Sequence, residues 1–238
     1  MVPVAAVSFD FGQTLASLDP AMLARRLGEI DVAADVIRLE GALPGAWTAY
    51  DAAVRAGTSG HPWKLFMATL LEGAGVAEAA RARAVDWLWD EQPRQNLWRR
   101  PVPGMIELCR ALRARNVPHG VLSNSEGRLA ELVAEMGWSA DLPLVGDSGR
   151  LGMEKPDPAI FAWMAGELGV PAAAVVHVGD SLGADVQGAL RAGMRAVWFS
   201  VPTAGSSTVP DGLPAGVPVA RSADELRAIL MELGLPLG

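Results

Sequence analysis

The 238-residue chain has one cysteine, Cys109, so no internal disulfide can form. Its place in an amphipathic helical stretch reads as a buried thiol in a reducing compartment, the cytoplasm. No apolar run is long enough to cross a bilayer. The stretch Met1–Phe9 is apolar, but it has no basic leader and runs straight into Asp10, so it reads as a buried strand and not as a signal peptide. There is no basic tract, and the net charge is -7, which argues against nucleic acid as a partner. There is no internal repeat. Lysine is scarce: Lys64 and Lys155 are the only two, beside plentiful arginine.

What is present is apolar residues, 50% of the chain, enough for one large domain or for a domain plus a smaller one. Val4–Phe9 predicts an all-apolar strand of the kind that lies in a parallel sheet covered on both faces. From about Pro20 to Trp98 the pattern is helical, with breaks at Gly41–Gly45, Gly57–Pro62 and Gly73–Gly75 and no clear strand. The pattern then alternates. Helices are expected from Pro103-Gly104 through Arg115, over Gly127–Met136, Pro158–Leu168 and Gly183–Ala192, and over Ala223–Leu233 with Ser222 as N-cap. Strands are expected at His119–Leu122, Ala174–Val178 and Ala196–Phe199, and a Pro/Gly/Ser/Thr-rich loop over Val201–Val217. Alternating strands and helices make right-handed βαβ units and a parallel sheet, a Rossmann-like α/β core. About eighty helical residues separate the first strand from the rest. The economical division is a core of residues 1–16 and 100–238 and an inserted all-helical module of 17–99.

Ligands of open α/β sheets bind beyond the carboxyl ends of the strands. Four polar clusters stand at such ends or in adjoining loops: Asp10 in the run Phe9–Leu15, Ser123-Asn124, Lys155-Pro156-Asp157-Pro158, and Gly179-Asp180 followed by Asp185. Converged, they suit phosphoryl transfer. A carboxylate attacks phosphorus and the resulting acyl phosphate is hydrolysed. Mg2+ offsets the repulsion between carboxylate and phosphate and takes oxygen ligands, for which Asp10 and Asp180 are suited, with Asp185 binding the ion or orienting its waters. Ser123 and Lys155 are suited to stabilise the charge on the transferring group.

These motifs, in this order, resemble the haloacid dehalogenase-like (HAD) superfamily. The resemblance covers residues 1–16 and 100–200, and the inserted helices are similar to that family's helical cap, which closes over the site, excludes water and selects substrate. It implies Asp10 as nucleophile and metal ligand, the Gly12 carbonyl and Asp180 as further ligands, and Ser123 and Lys155 on the phosphoryl oxygens, with Lys155 also orienting Asp10. Asn124 is expected at the substrate and in organising its loop. The implied activity is Mg2+-dependent hydrolysis of a small phosphorylated metabolite.

One position departs from the pattern. Two residues after the nucleophile, family phosphatases usually carry a second aspartate that protonates the leaving alkoxide; here that residue is Gly12. General acid–base help is typically worth ~10²–10⁴-fold, so esters of poorly acidic alcohols should suffer most. Two alternatives follow. One is a protein that keeps the fold and site for binding or regulation. The other is a C–halogen hydrolase, which needs no metal and would leave Asp180 and Asp185 without that use. Lys64, the sole lysine of the helical module, is the candidate for a Schiff-base lysine, against a plain exposed helix residue. Arg25, Arg26 and Arg55 are candidates to reach an anionic substrate. Trp47, Trp63, Trp87, Trp89 and Trp98 are read as packing of the helical module, and His177 as a packed strand residue. His61 and His119 lie at turns without an identifiable partner.

Overall fold

In the computed structural model the described residues are 2–56, 62–200 and 212–238. They fall into two compact units. One comprises residues up to Ser17 together with the chain from Trp98 on; the other runs from Leu18 to Leu97.

The first unit is built on a six-stranded, all-parallel sheet in the order β5-β4-β1-β6-β7-β8. Its strands are β1 (Ala6–Phe9), β4 (His119–Ser123), β5 (Val145–Asp147), β6 (Val175–Gly179), β7 (Arg195–Phe199) and β8 (Val219–Ala220). β1, β4 and β6 are buried at every position, as strands of a doubly covered sheet should be. Alternation sorts the side chains into two layers. Val7, Phe9, Val121, Val176, Val178 and Phe199 face one cluster, with residues of α5 (Met105–Ala114), α6 (Leu129–Glu135) and α10 (Ala223–Glu232). Ala6, Leu122, Val175 and Trp198 face the other, with α8 (Pro158–Leu168) and α9 (Gly188–Arg191). The helix caps follow local chemistry. Asp157 accepts from the Ala159 amide ahead of Pro158, and Ser222 accepts from the Glu225 amide, as expected. The helix expected over Gly183–Ala192 opens as a wider π-helical turn, Leu182–Gln187, before α9. α7 (Ser148–Leu151) is a single short turn after β5.

The chain runs between the units along a two-stranded ribbon, β2 (Ala16–Leu18) and β3 (Trp98–Pro101). The second unit is helical: α1 (Pro20–Gly28), α2 (Val36–Ala56), α3 (Pro62–Gly73) and α4 (Glu78–Glu91). The break expected at Gly41–Gly45 is absent, because α2 runs through it with Pro44 inside. Small residues serve close packing here: a Cβ on Gly73 would lie 2.8 Å from the Ala42 Cβ. The expected break at Gly73–Gly75 is real, with Gly75 in a left-handed conformation. His61 and the expected break at 57–62 lie outside the described residues, apart from Pro62. No helix among the described residues is long and apolar enough to cross a membrane.

Candidate active site

Three adjacent strands deliver the site, at the point where the strand order reverses. β1 ends at Phe9, registered with Val121 of β4 and Val178 of β6. Asp10 follows, its amide donating to the Val178 carbonyl at 2.8 Å. Ser123 closes β4, and Gly179 closes β6 just before Asp180. The crevice beyond the carboxyl ends at a reversal is where open α/β sheets bind ligands.

The side chains there form one network. Ser123 Oγ donates to Asp10 Oδ1 at 3.0 Å, and Lys155 Nζ donates to the same oxygen at 2.6 Å. Lys155 also donates to Asp185 Oδ1 at 2.6 Å. Its side chain is 3% exposed, so its charge rests on these two carboxylates. Asn124 fixes the lysine backbone: its amide donates to the Lys155 carbonyl and accepts from the Lys155 N–H, both at 2.8 Å. The Lys155–Pro156 peptide is cis. Asn124, expected partly at the substrate, thus spends both ends of its amide on placing Lys155.

Asp185 is hydrogen-bonded on both oxygens. Besides Lys155, its Oδ1 meets His177 Nε2 at 3.1 Å, and its Oδ2 accepts from the Ser181 amide at 2.9 Å. The other His177 ring nitrogen meets Ser8 Oγ at 2.9 Å. Burial pushes the His177 pKa down, so the ring is neutral. A carboxylate only accepts, so Nε2 carries the proton and the Ser8 hydroxyl donates to Nδ1. Burial pushes the Asp10 carboxyl above its ordinary range, against the pull of Lys155. Burial acts likewise on Asp185, but Lys155 and the His177 hydrogen bond more than reverse it and hold Asp185 low. Burial would lower Lys155, but Asp10 and Asp185 raise it, so it is a cation. Asp10 is therefore the more readily protonated of the two buried carboxylates.

Asp10, Asp180 and Asp185 each bring one carboxylate oxygen within 4.8 Å of the others. An all-oxygen set of this kind fits a hard divalent cation such as Mg2+. The Asp180 backbone is anchored separately, its carbonyl accepting from Trp198 Nε1 at 2.7 Å. Gly179 is needed for close approach, since a Cβ there would lie 2.3 Å from Asp185 Cγ.

The remaining candidates have partners of their own. Lys64 pairs with Asp86 at 2.7 Å on the helical unit, with the Asp86 side chain largely exposed and that of Lys64 partly so. Arg26 is buried against Glu29 and Glu91 with its guanidinium over Trp87, all within the helical unit. The Arg55 side chain is outside the described residues. Trp47 packs tilted against Phe66 at 4.2 Å and Trp63 meets Trp89 edge to face at 5.4 Å, as packing residues should. His119 has partners after all: it is buried in β4 between the Val117 and Asp141 carbonyls.

Sequence reasoning missed two residues near the site and misplaced a third. His177 is packed, but it also links Ser8 to Asp185. Asp147, at the end of β5, accepts from the Gly127, Leu129 and Gly149 amides and so pins the loop after Ser123. Trp98, grouped with the helical module, belongs to the α/β unit and borders Gly12: a Cβ on Gly12 would lie 3.3 Å from Trp98 Nε1 and 3.9 Å from Asp10 Oδ2.

The chain is 29% identical over 179 residues to mouse haloacid dehalogenase-like hydrolase domain-containing protein 3, covering 75% of this chain and 69% of that one. It is 32% identical over 136 residues to a phosphoserine phosphatase of Thermus thermophilus, covering 57% of this chain and 53% of the relative. A magnesium-bound HAD-hydrolase structure from Bacillus subtilis superposes with a TM-score of 0.69 at 20% identity, over 96% of this chain and 99% of that one, and shows the fold. Residues 4–193 match the model of the haloacid dehalogenase-like hydrolases, and the chain belongs to that family of hydrolases.

Proposed function

We propose that the protein is a Mg2+-dependent phosphohydrolase of a small phosphorylated metabolite, acting through an aspartyl phosphate on Asp10. The observation that carries this reading is the asymmetry of the Asp10 carboxylate. Ser123 and Lys155 both hold Oδ1, and Oδ2 receives neither. Held in this way, Oδ2 is the attacking atom. It forms a bond to phosphorus while the ester P–O bond breaks and the leaving oxygen takes the electron pair. Water then attacks phosphorus, phosphate departs, and the Asp10 carboxylate is restored. Lys155 and Ser123 hold the phosphoryl oxygens as charge spreads over them. Asp10, Asp180 and the Gly12 carbonyl would hold the Mg2+, with Asp185 beside them, and the ion would supply charge neutralisation between carboxylate and phosphate. Asp185 and His177 keep the lysine cation in place, and Asn124 fixes its backbone.

The phosphoserine phosphatase relative supports a phosphate monoester as substrate, and the magnesium-bound fold relative supports the ion. The cluster of Asp10, Asp180 and Asp185 disfavours a C–halogen hydrolase, which would have no use for such a cation site. The family resemblance assigns substrate selection to a helical cap of residues 17–99.

Phosphate release from 4-nitrophenyl phosphate, with and without Mg2+, tests the reading. Wild type should turn over only with the ion, and Asp10→Asn should fall below detection. Mg2+ should raise the melting temperature of wild type and not that of Asp180→Asn. Metal-independent halide release would replace the proposal with dehalogenation. Absence of both activities would leave a binding or regulatory module.

A further inference from the structure

We infer that Ser8 and His177 are a positioning pair that holds Asp185 on the Lys155 ammonium and out of the inner ligand set of the cation that Asp10 and Asp180 would bind. This deepens the phosphohydrolase reading and rests on it.

β1 and β6 each bury one polar side chain in an otherwise apolar strand, Ser8 in Ala6–Phe9 and His177 in Val175–Gly179. The two are register partners on neighbouring strands, so both point to the same face of the sheet. The imidazole is fixed from three sides. Ser8 Oγ meets Nδ1 at 2.9 Å, and Asp185 Oδ1 meets Nε2 at 3.1 Å. The Phe161 ring stands edge to face with it, centroids 5.2 Å apart. Phe161 has room there because residue 188 is glycine: a Cβ at that position would lie 2.7 Å from Phe161 Cε2. A carboxylate only accepts, so the ring must carry its hydrogen on Nε2 to serve Asp185. The Ser8 hydroxyl, donating to Nδ1, selects that tautomer.

The protein thus makes three donations to Asp185: Lys155 and His177 to Oδ1, and the Ser181 amide to Oδ2. An ionised carboxylate has about four acceptor positions, so most of its capacity is used. Yet one Asp185 oxygen lies within 4.8 Å of oxygens of Asp10 and Asp180, close enough for all three carboxylates to crowd one cation. Asp185 therefore stands between two claims, the lysine and the ion. Each hydrogen bond it accepts from the protein makes it a poorer ligand. Mg2+ is served by one or two carboxylates and keeps several waters, so it does not need the third. Lys155 does need it. Were Asp185 to turn to the ion, the lysine would lose one of its two carboxylates and the seat from which it reaches Asp10 Oδ1.

The test pairs Mg2+ titration calorimetry, which needs no turnover, with 4-nitrophenyl phosphate hydrolysis at saturating Mg2+. It is run on wild type, on His177→Leu, which deletes both ring hydrogen bonds, on His177→Gln, which returns an amide donor toward Asp185, and on Ser8→Ala. His177→Leu should bind Mg2+ about tenfold more tightly, the effect of freeing a charged group from one hydrogen bond. Its kcat should fall about 10–100-fold, as when the partner of a metal-site side chain is removed. His177→Gln should bring both values back toward wild type. Ser8→Ala should shift both in the same directions by a smaller factor. A merely structural histidine would not tighten Mg2+ binding, so unchanged or weaker binding by His177→Leu overturns the inference.

If His177→Leu melts below the assay temperature, Ser8→Ala decides alone: tighter Mg2+ binding with slower turnover supports the pair, and any other combination overturns it. A wild type that binds Mg2+ but releases no phosphate from any ester overturns the phosphohydrolase reading, and the calorimetry still decides whether the pair holds Asp185 away from the ion. A wild type that binds no Mg2+ overturns both.

Discussion

The two units use charge in different ways. In the helical unit, Lys64–Asp86, Arg81–Glu72 and Arg94–Glu91 each have at least one largely exposed member. Even buried Arg26 hands its charge to Glu29 and Glu91, which reach solvent. The α/β unit also has surface pairs, but it alone, among the described residues, buries a lysine between two buried carboxylates. Surface pairs are worth about 0–1 kcal/mol. A buried cluster costs desolvation that its own attractions only partly offset, so stability does not explain its presence. Charge kept in the interior, at a sheet edge where ligands bind, points to chemistry. Charge on helix faces points to a solvated surface.

The largest test of this contrast is Lys155→Met. It strands Asp10 and Asp185 together without a counter-charge. Urea unfolding should show a loss of about 3–5 kcal/mol, with phosphate release abolished. Lys64→Met, on the other unit, should cost at most about 1 kcal/mol and leave kcat unchanged. Equal losses would erase the contrast. Next in size is Gly179→Ala, whose methyl group must displace Asp185; overpacking of this kind costs about 1–3 kcal/mol and should lower kcat along with stability. The last effect is a pH dependence. The folded pKa of His177 is lowered, so as pH falls below the unfolded value of about 6.5 the unfolded chain takes up a proton that the folded one refuses. Stability of the metal-free protein should fall over that range, by at most about 1.4 kcal/mol per pH unit from this one group, until the folded value is reached. His177→Gln should flatten the decline in melting temperature between pH 6.5 and 5; an unchanged profile would mean that the histidine is not held neutral.

The strands that carry the site were legible because each is short, wholly buried and mostly apolar, with a polar residue at or just beyond its end. The clustering of Asp10, Ser123, Lys155 and Asp185 followed from placing those ends side by side. Other features depend on neighbours and not on local pattern. β5 and β8 have three and two residues, too few for periodicity to register. β2 and β3 exist by pairing with each other. α2 passes through Gly41, Pro44 and Gly45, where local propensity said break, because helix packing outweighs propensity. His177 looked like simple packing because its partner Ser8 is 169 positions away. Trp98 was misplaced because it closes a run of helix-spaced tryptophans; nothing nearby in sequence ties it to Gly12.

The central place of β1 has a consequence for how the molecule is made. β1 emerges first from the ribosome, but its neighbours begin at His119 and Val175. At about 5–20 residues per second, the second neighbour arrives some ~10–30 s after Phe9. Through that interval the nascent chain holds an apolar strand with at least one unpaired edge, the kind of surface that chaperones shield and that aggregates when left alone. A polypeptide released before Asp185 is made would carry the nucleophile without the carboxylate that helps seat Lys155. Premature termination should therefore yield aggregation-prone, inert fragments and no partially active enzyme.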